Sequence, residues 1–208
     1  MGIKMNKIYR MAACIMAGVV LAGAYQYRIQ KLQEGLAERI LRFHVIANSN
    51  TKEDQALKLK VRDEIGAFLK EKLSGAKNLA ECEETVNANL DEIELCADTV
   101  IAEEGYDYAV NATVHTTNFP KKTYGSYTFP KGEYRALNVV IGDGAGENWW
   151  CVMYPNLCFA GSVYEVIEEN AKEELRSVLN EEEYAEIMAE GNIKVKFKYL
   201  DALLNLFQ

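Results

Sequence analysis

The sequence is poor in residues that bind metals or activate nucleophiles. Its 208 residues include only two histidines, His44 and His115. It contains no His-x-x-Glu-His motif, no Cys-x-x-Cys pair and no carboxylate loop of the EF-hand type. Cys82 and Cys96 fall on one predicted helix about 21 Å apart, too far to share a metal ion or a disulfide. The sequence therefore predicts no metal centre and no cofactor, and these two cysteines are interpreted as small buried hydrophobic residues.

A phosphate-binding loop is also absent. The glycine-rich stretch GDGAG, residues 142–146, is not followed by Gly-Lys-Ser or Gly-Lys-Thr. It leads into Trp149 and Trp150 instead of a helix, so neither the P-loop nor the dinucleotide-binding geometry is available. The stretch is predicted to connect two strands.

Positive charge is scarce outside the N-terminus. Three of the 23 Lys and Arg lie in residues 1–24 and none of the 31 Asp and Glu does, so residues 25–208 carry a formal net charge of −11. Such a surface repels nucleic acid and anionic lipid headgroups. The sequence therefore predicts no nucleic-acid partner, and favours a protein or a small molecule.

The N-terminus has the pattern of a targeting segment. Lys4, Lys7 and Arg10 precede the uncharged run MAACIMAGVVLAGA, Met11 to Ala24. A secretory signal peptide has this pattern. An uncleaved anchor is the alternative, because the uncharged span extends to Tyr27 and a helix over it is about 25 Å long, slightly short for a hydrocarbon core of about 30 Å. In both cases the chain after about residue 25 is exported.

The rest of the chain predicts a single α+β domain, with a mixed or antiparallel sheet packed against a helical layer. We divide the chain into a signal peptide or anchor (1–27), a helical stalk (28–38) and an exported domain (39–208). Alternating or helical periodicity predicts the following elements. These are a strand Arg39 to Ala47, a helix capped by residues 48–51 and ending at Ser74-Gly75, a helix Asn78 to Glu104, a strand from Tyr106, turns around a short strand in 118–134, strands Tyr134 to Ile141 and Trp149 to Tyr154, an acidic helical region Glu165 to Met188 and a strand Ile193 to Tyr199.

Cys151 and Cys158 flank a turn signal, Pro155-Asn156. Export would place both cysteines where disulfides persist, so the spacing favours a local disulfide. A cysteine nucleophile assisted by His44 or His115, both expected on the polar side of a strand, remains the alternative. The adjacent tryptophans Trp149 and Trp150 must point to opposite faces of their strand. One of them can therefore enter the core while the other is available to a partner.

Two long strings make the sequence recognisable: RFHVIANSNTKEDQALKLKVRDEI and FPKKTYGSYTFPKGEYRALNVVIGDGAGENWWCVMYPNLCF. From Arg39 to Phe159 the chain resembles the stage II sporulation protein R family of endospore-forming bacteria. The resemblance implies a messenger without enzymatic activity, exported from the forespore into the space between forespore and mother cell. It would be secreted or held by its N-terminus there. Family members trigger a membrane-embedded aspartyl protease of the mother cell, which processes the pro-form of the early mother-cell sigma factor.

We expect the contact surface to combine the strand-to-helix junction with one tryptophan. The residues are His44, Asn48, Ser49, Asp54 and Gln55, with Trp149 or Trp150. Helix capping is the structural explanation for Asn48, Ser49 and Asp54. No core or capping duty is evident for His44 and Gln55, which favours a role of these two residues in recognition. No catalytic residue is assigned, and the alternative function is an exported cysteine-dependent hydrolase acting on wall or peptide substrate.

Overall fold

The computed structural model describes residues 2–155, 157 and 169–189. Helix α1, Gly2–Ala37, is continuous. Its part Lys7–Ala37 is long and apolar enough to cross a membrane, with a mean hydropathy of 1.6 over its most apolar window, and that window is not buried against the protein. The last turns differ, because Leu32 and Leu36 are buried in the core. The helical stalk is thus packed on the domain that follows it.

Among the residues that the structure describes, α1 is followed by one strand, three α-helices, five strands and two further α-helices. The strands are β1 Leu41–Ile46, β2 Val110–Phe119, β3 Lys122–Tyr124, β4 Tyr127–Phe129, β5 Gly132–Ile141 and β6 Asn148–Tyr154. The helices are α2 Lys52–Lys72, α3 Leu79–Ala88, α4 Leu90–Glu103, α5 Glu169–Val178 and α6 Glu181–Ala189, with a 3-10 turn at Leu73–Gly75.

The main sheet is mixed, in the order β2-β5-β1-β6. Strand β1 runs parallel to β5 and antiparallel to β6, whereas β2 is antiparallel to β5. Helices α2 and α4 contribute Val61, Ile65 and Ile93 to the core. The predicted α+β fold with a mixed sheet against helices is therefore confirmed.

Strand β1 is buried on both faces, which the sequence did not suggest. The polar side expected for His44 is wrong, because only 3% of this residue is exposed and Arg42 beside it is fully buried. A central strand with a parallel neighbour is usually covered on both faces. Here the β3–β4 hairpin and Phe119 cover the second face. His115, on the edge strand β2, is exposed as expected.

The helix predicted from Asn78 to Glu104 is two helices. Asn78 caps α3 by accepting a hydrogen bond from the Glu81 amide, as the predicted start requires. Asn89 interrupts the helix with φ −120° and ψ 22°, and its side chain donates to the Thr85 carbonyl. Asparagine competes for backbone hydrogen bonds in this way, which weakens a helix. Gly105 ends α4 with φ +82°.

This break separates the two helical cysteines. Cys82 lies on α3 and Cys96 on α4, so their predicted place on one helix is wrong. Both are free thiols, and Cys82 is buried while Cys96 is half-buried. The interpretation as small packing residues fits Cys82 fully and Cys96 in part.

Two further elements differ from their predicted form. The short strand expected in 118–134 is a hairpin of β3 and β4 that turns at Gly125, whose φ is +54°. Helices α5 and α6 confirm helical structure over 169–189 of the acidic region. Cys158 and the strand expected at Ile193 to Tyr199 lie outside the described residues.

Candidate functional site

The junction between β1 and α2 is held by short polar side chains. Thr51 is the N-cap, and its hydroxyl accepts a hydrogen bond from the Asp54 amide at 3.2 Å. The Asp54 carboxylate accepts hydrogen bonds from the Ser49 hydroxyl and the Asn48 amide. Both hydrogen bonds lower the pKa of Asp54, and the bond from Ser49 contributes most to the shift. A charged carboxylate therefore fixes the first turn of α2, where the helix dipole also favours negative charge.

The GDGAG loop packs directly on this junction. The Asp143 amide donates to Asn48 Oδ1 at 2.9 Å, and the Ala145 amide donates to the Asn48 carbonyl at 3.0 Å. Gly142 and Gly144 have φ values of +57° and +60°, which only glycine adopts readily. The loop connects β5 to β6, so the predicted strand connection is confirmed.

Gln55 has a structural duty that the sequence did not reveal. Its side-chain amide donates to the Ser49 carbonyl at 2.9 Å, and its oxygen accepts from Lys58 Nζ at 2.6 Å. Lys58 also donates to the Glu147 carbonyl at 2.9 Å, which ties α2 to the loop. Gln55 therefore holds the junction against α2, although the helix is capped by Thr51 and not by Gln55. The structure brings these junction residues together, and their contact with a partner stays a prediction.

The two tryptophans separate to opposite faces of β6, as predicted. Trp149 is 6% exposed and meets Phe43 edge-on with ring centres 5.5 Å apart, while Arg62 lies over its ring. Trp150 is half-buried and stacks on His44, with ring centres 4.8 Å apart and planes 11° from parallel. Trp149 is thus the core anchor, and Trp150 is the one that retains an accessible surface.

Both histidines of the chain lie on the Trp150 face of the sheet, linked by Asn138. His44 Nε2 is hydrogen-bonded to Asn138 Oδ1, and the Asn138 amide lies 3.2 Å from Nδ1 of His115. Burial lowers the pKa of His44 to about 4, and His115 and Arg42 contribute to the shift. His44 is therefore neutral at physiological pH. The sequence analysis missed Asn138, which pairs with His44 across β1 and β5.

Arg42 is a buried cation enclosed by aromatic rings. Its guanidinium carbon lies 4.2 Å from the Phe119 ring centre and 5.0 Å from that of Tyr134. Nε donates to the Cys151 carbonyl at 3.1 Å, and Nη2 donates to the Tyr124 hydroxyl at 2.9 Å. No ion pair joins Arg42 to a carboxylate within the part of the chain that the structure describes. The guanidinium carbon of Arg42 also lies 5.6 Å from the ring centre of Phe129. The contacts of Arg42 with Tyr124 and Phe129 therefore hold the β3–β4 hairpin on the sheet.

His44 does not form the cysteine–histidine pair that a thiol hydrolase requires. Cys151 pairs with Phe43 and His44 pairs with Trp150 across β1 and β6, so Cys151 and His44 point to opposite faces. Burial raises the pKa of Cys82 to about 12 and also raises that of Cys96, so these thiols stay protonated. Among the described residues, no group of three or more His, Cys, Asp or Glu is placed to hold a metal.

Comparison with known proteins decides the family. The family model described as stage II sporulation protein R matches residues 37–164, more than half of the chain. The chain belongs to this family. The stage II sporulation protein R of Bacillus subtilis (strain 168) is 26% identical over 210 residues, covering 93% of this chain and 94% of that protein. No solved structure matches the chain. The resemblance stated from the sequence is confirmed, and it supports a role in sporulation.

Proposed function

We propose that the protein is an exported intercellular signal of endospore formation. It activates a membrane-embedded aspartyl protease of the mother cell, which then processes the pro-form of the early mother-cell sigma factor. Membership of the stage II sporulation protein R family is the observation that carries this proposal. The remaining observations concern how the chain leaves the forespore and which surface it offers.

Helix α1 supports export. Its apolar window makes no buried contact with the domain, as expected of a segment that is used by the export machinery or by a membrane. Its last turns are anchored instead, through Leu32 and Leu36 in the core and an Arg28–Glu186 ion pair. Removal of the leader near Ala24 would leave these turns on the domain. The exported domain is thus compatible with both a cleaved and an anchored form.

Binding, without catalysis, is the mode of action that we infer. His44 is buried, neutral at physiological pH and on the opposite face of the sheet from Cys151. A thiol nucleophile needs a base within hydrogen-bond reach, and His44 does not supply one to Cys151. No contact of the described residues favours the alternative cysteine-dependent hydrolase over a messenger.

Trp150 is the apolar centre of the proposed contact surface. It is the half-buried member of the pair and rests on His44 and Phe119, which fix its ring. A rigid, partly exposed tryptophan is typical of a binding hot spot. Asn48, Ser49 and Gln55, which are half-buried, form the polar part of the surface. Asp54 is only 4% exposed, so it holds Asn48 and Ser49 in place and does not itself contact a partner.

Alanine variants of the two tryptophans should separate recognition from folding. Trp150→Ala should abolish most sigma-factor processing, because loss of a hot spot costs about 2 kcal/mol or more of binding. It should lower the melting temperature less than Trp149→Ala does, because Trp150 is half-buried and Trp149 is buried. Trp149→Ala should lower the stability by about 3 to 5 kcal/mol, since its ring fills the core. His44→Ala and Gln55→Ala complete the set. For each of the four variants the melting temperature is compared with the extent of sigma-factor processing. If Trp150→Ala and Gln55→Ala both signal normally, the surface is in the wrong place.

A Cys151–Cys158 disulfide is part of the proposal. Cys151 is 3% exposed on β6, and Cys158 lies outside the described residues. For so short a loop, loss of the bond should cost about 2 to 3 kcal/mol. The Cys151→Ala/Cys158→Ala variant should therefore unfold at lower temperature yet keep some signalling. Complete loss of signalling at unchanged melting temperature would instead favour a thiol enzyme.

Co-expression tests the function as a whole. The cognate protease and the pro-sigma factor are produced in a bacterium that forms no spores, with and without this chain, and processing is followed by immunoblotting. We expect processing only when the chain is present. Equal processing in its absence would remove the proposed activating role.

A further inference from the structure

Strand β2 is an edge of the main sheet with few of the usual safeguards against pairing. It is ten residues long and pairs with β5 in an uninterrupted register from Val110 to Phe119, without a bulge. Its sequence, VNATVHTTNF, contains no Lys, Arg, Asp, Glu or Pro. Natural edge strands are commonly blocked by charge, proline or a bulge. The edge of β2 therefore has the features of a surface that accepts another strand.

The hydrogen bonds of β2 show which backbone groups point away from β5. The Ala112 amide donates to Glu94 Oε1 of α4 at 2.7 Å, so the even-numbered residues of β2 direct their N–H and C=O groups outward. Among the residues that the structure describes, the outward backbone groups of Val114, Thr116 and Asn118 have no hydrogen-bond partner. Thr116 and Asn118 are exposed. The open part of the edge thus runs from Val114 to Asn118.

Charge next to this edge indicates what the added strand would carry. Helix α4 contacts β2 through Glu94 and has five carboxylates and no lysine or arginine in Leu90–Glu103. A basic segment lying along β2 would be attracted to this helix. A second copy of the chain, taken as a whole, would be repelled by this helix, because residues 25–208 carry a formal net charge of −11. The charge therefore favours a different, basic protein segment.

We propose that the open edge of β2, from Val114 to Asn118, binds a basic extended segment of the partner protein as an added strand. Main-chain hydrogen bonds supply affinity in this mode of recognition, and alternate side chains supply specificity. Identification of the partner with the mother-cell protease rests on the proposed function. Trp150 lies on β6, which is the strand of the main sheet farthest from β2 among those that the structure describes, about 14 Å away across three strand spacings. The partner would therefore contact the sheet at two separate places.

A synthetic octapeptide of alternating lysine and valine tests the edge without the protease. The full chain is held in neutral detergent micelles, and amide hydrogen exchange is measured with and without the peptide. We expect the Val114, Thr116 and Asn118 amides to gain protection. An octapeptide of alternating glutamate and valine should protect them at least about tenfold less at equal concentration, because α4 repels it.

Variants at Thr116 identify the edge itself. Thr116→Pro removes only an outward N–H and should weaken binding of the Lys–Val peptide about tenfold, as expected for loss of one main-chain hydrogen bond. Thr116→Val keeps the N–H and should bind like the unmodified chain. Thr116→Lys keeps the N–H but adds a positive charge that repels the Lys–Val peptide, so this variant should also bind the peptide more weakly. It replaces Thr116→Pro if the proline variant has a lowered melting temperature.

The outcomes separate this inference from the proposed function. Equal peptide binding by the Thr116→Pro, Thr116→Lys and unmodified chains would overturn the inference. Edge protection that rises with protein concentration in the absence of peptide would assign the edge to a second copy and also overturn it. If the peptide protects β2 but the unmodified chain never triggers processing, the edge stands and the proposed function fails.

Discussion

Charged residues in the leader should abolish signalling altogether. Val19→Lys, Val20→Lys and Leu21→Lys place three cations in the apolar run, each of which opposes membrane insertion by about 3 kcal/mol. The three side chains are 66–70% exposed and outside the core, so the domain should fold as before. The chain would then stay in the cell that makes it, on the wrong side of the membrane from its partner. We expect no sigma-factor processing.

The measurement is immunoblotting for the processed sigma factor in the co-expression strain, with fractionation to locate the chain. Val19→Leu and Leu21→Val form the matched control, since they keep the run apolar and should signal normally. The melting temperature of the purified Lys variant shows whether the domain is intact. Full processing by a variant confined to the cytoplasm would contradict the requirement for export.

Acid should destabilise the domain through His44. The pKa of His44 is about 4 in the folded protein, lowered mainly by burial, against an ordinary value of 6.5. Below pH 6.5 the unfolded chain binds a proton that the folded chain does not. The contribution of neutral His44 is therefore complete above pH 6.5, falls as the pH drops towards about 4, and amounts to about 3 kcal/mol.

Urea unfolding at pH 7.0, 6.0, 5.0 and 4.5 checks this value, with His44→Gln as the comparison. Glutamine has an amide that can still bond Asn138 Oδ1 but does not titrate in this range. Subtracting the two pH profiles removes the contribution of the carboxylates. We expect the unfolding free energy of the unmodified chain to fall relative to that of His44→Gln as the pH is lowered. Parallel profiles would show that His44 is not held neutral by the fold.

Local patterns were enough to predict most of the elements. Thr51 caps α2 and Asn78 caps α3 because short polar side chains satisfy free amides within three residues, a relation visible in the sequence. Strands β5 and β6 are buried on both faces around Val139 and Cys151, and their short apolar runs were sufficient to predict them as strands. The break at Asn89 was missed because the apolar stripe continues across it from Val86 to Ile93. Hydrophobic periodicity does not report a single non-helical residue.

The candidate site was predictable only in part, because its contacts are distant in sequence. The junction of Asn48, Ser49 and Asp54 could be recognised from capping chemistry. The pairing of His44 with Asn138 and of Arg42 with Tyr124 depends on strand order, which no local pattern encodes. The sequence of β1 did not predict the aromatic enclosure, because Arg42 shares the side of the strand that was expected to be polar at His44.

Reconstitution across a membrane tests the central claim most directly. The cognate protease is inserted into lipid vesicles that enclose the pro-sigma factor, with the face that meets the exported chain outward. The purified domain without its leader, residues 25–208, is then added outside. We predict that the enclosed pro-sigma factor is cleaved within the incubation and that Trp150→Ala protein cleaves far less. Cleavage that is the same with and without the added domain would contradict the account.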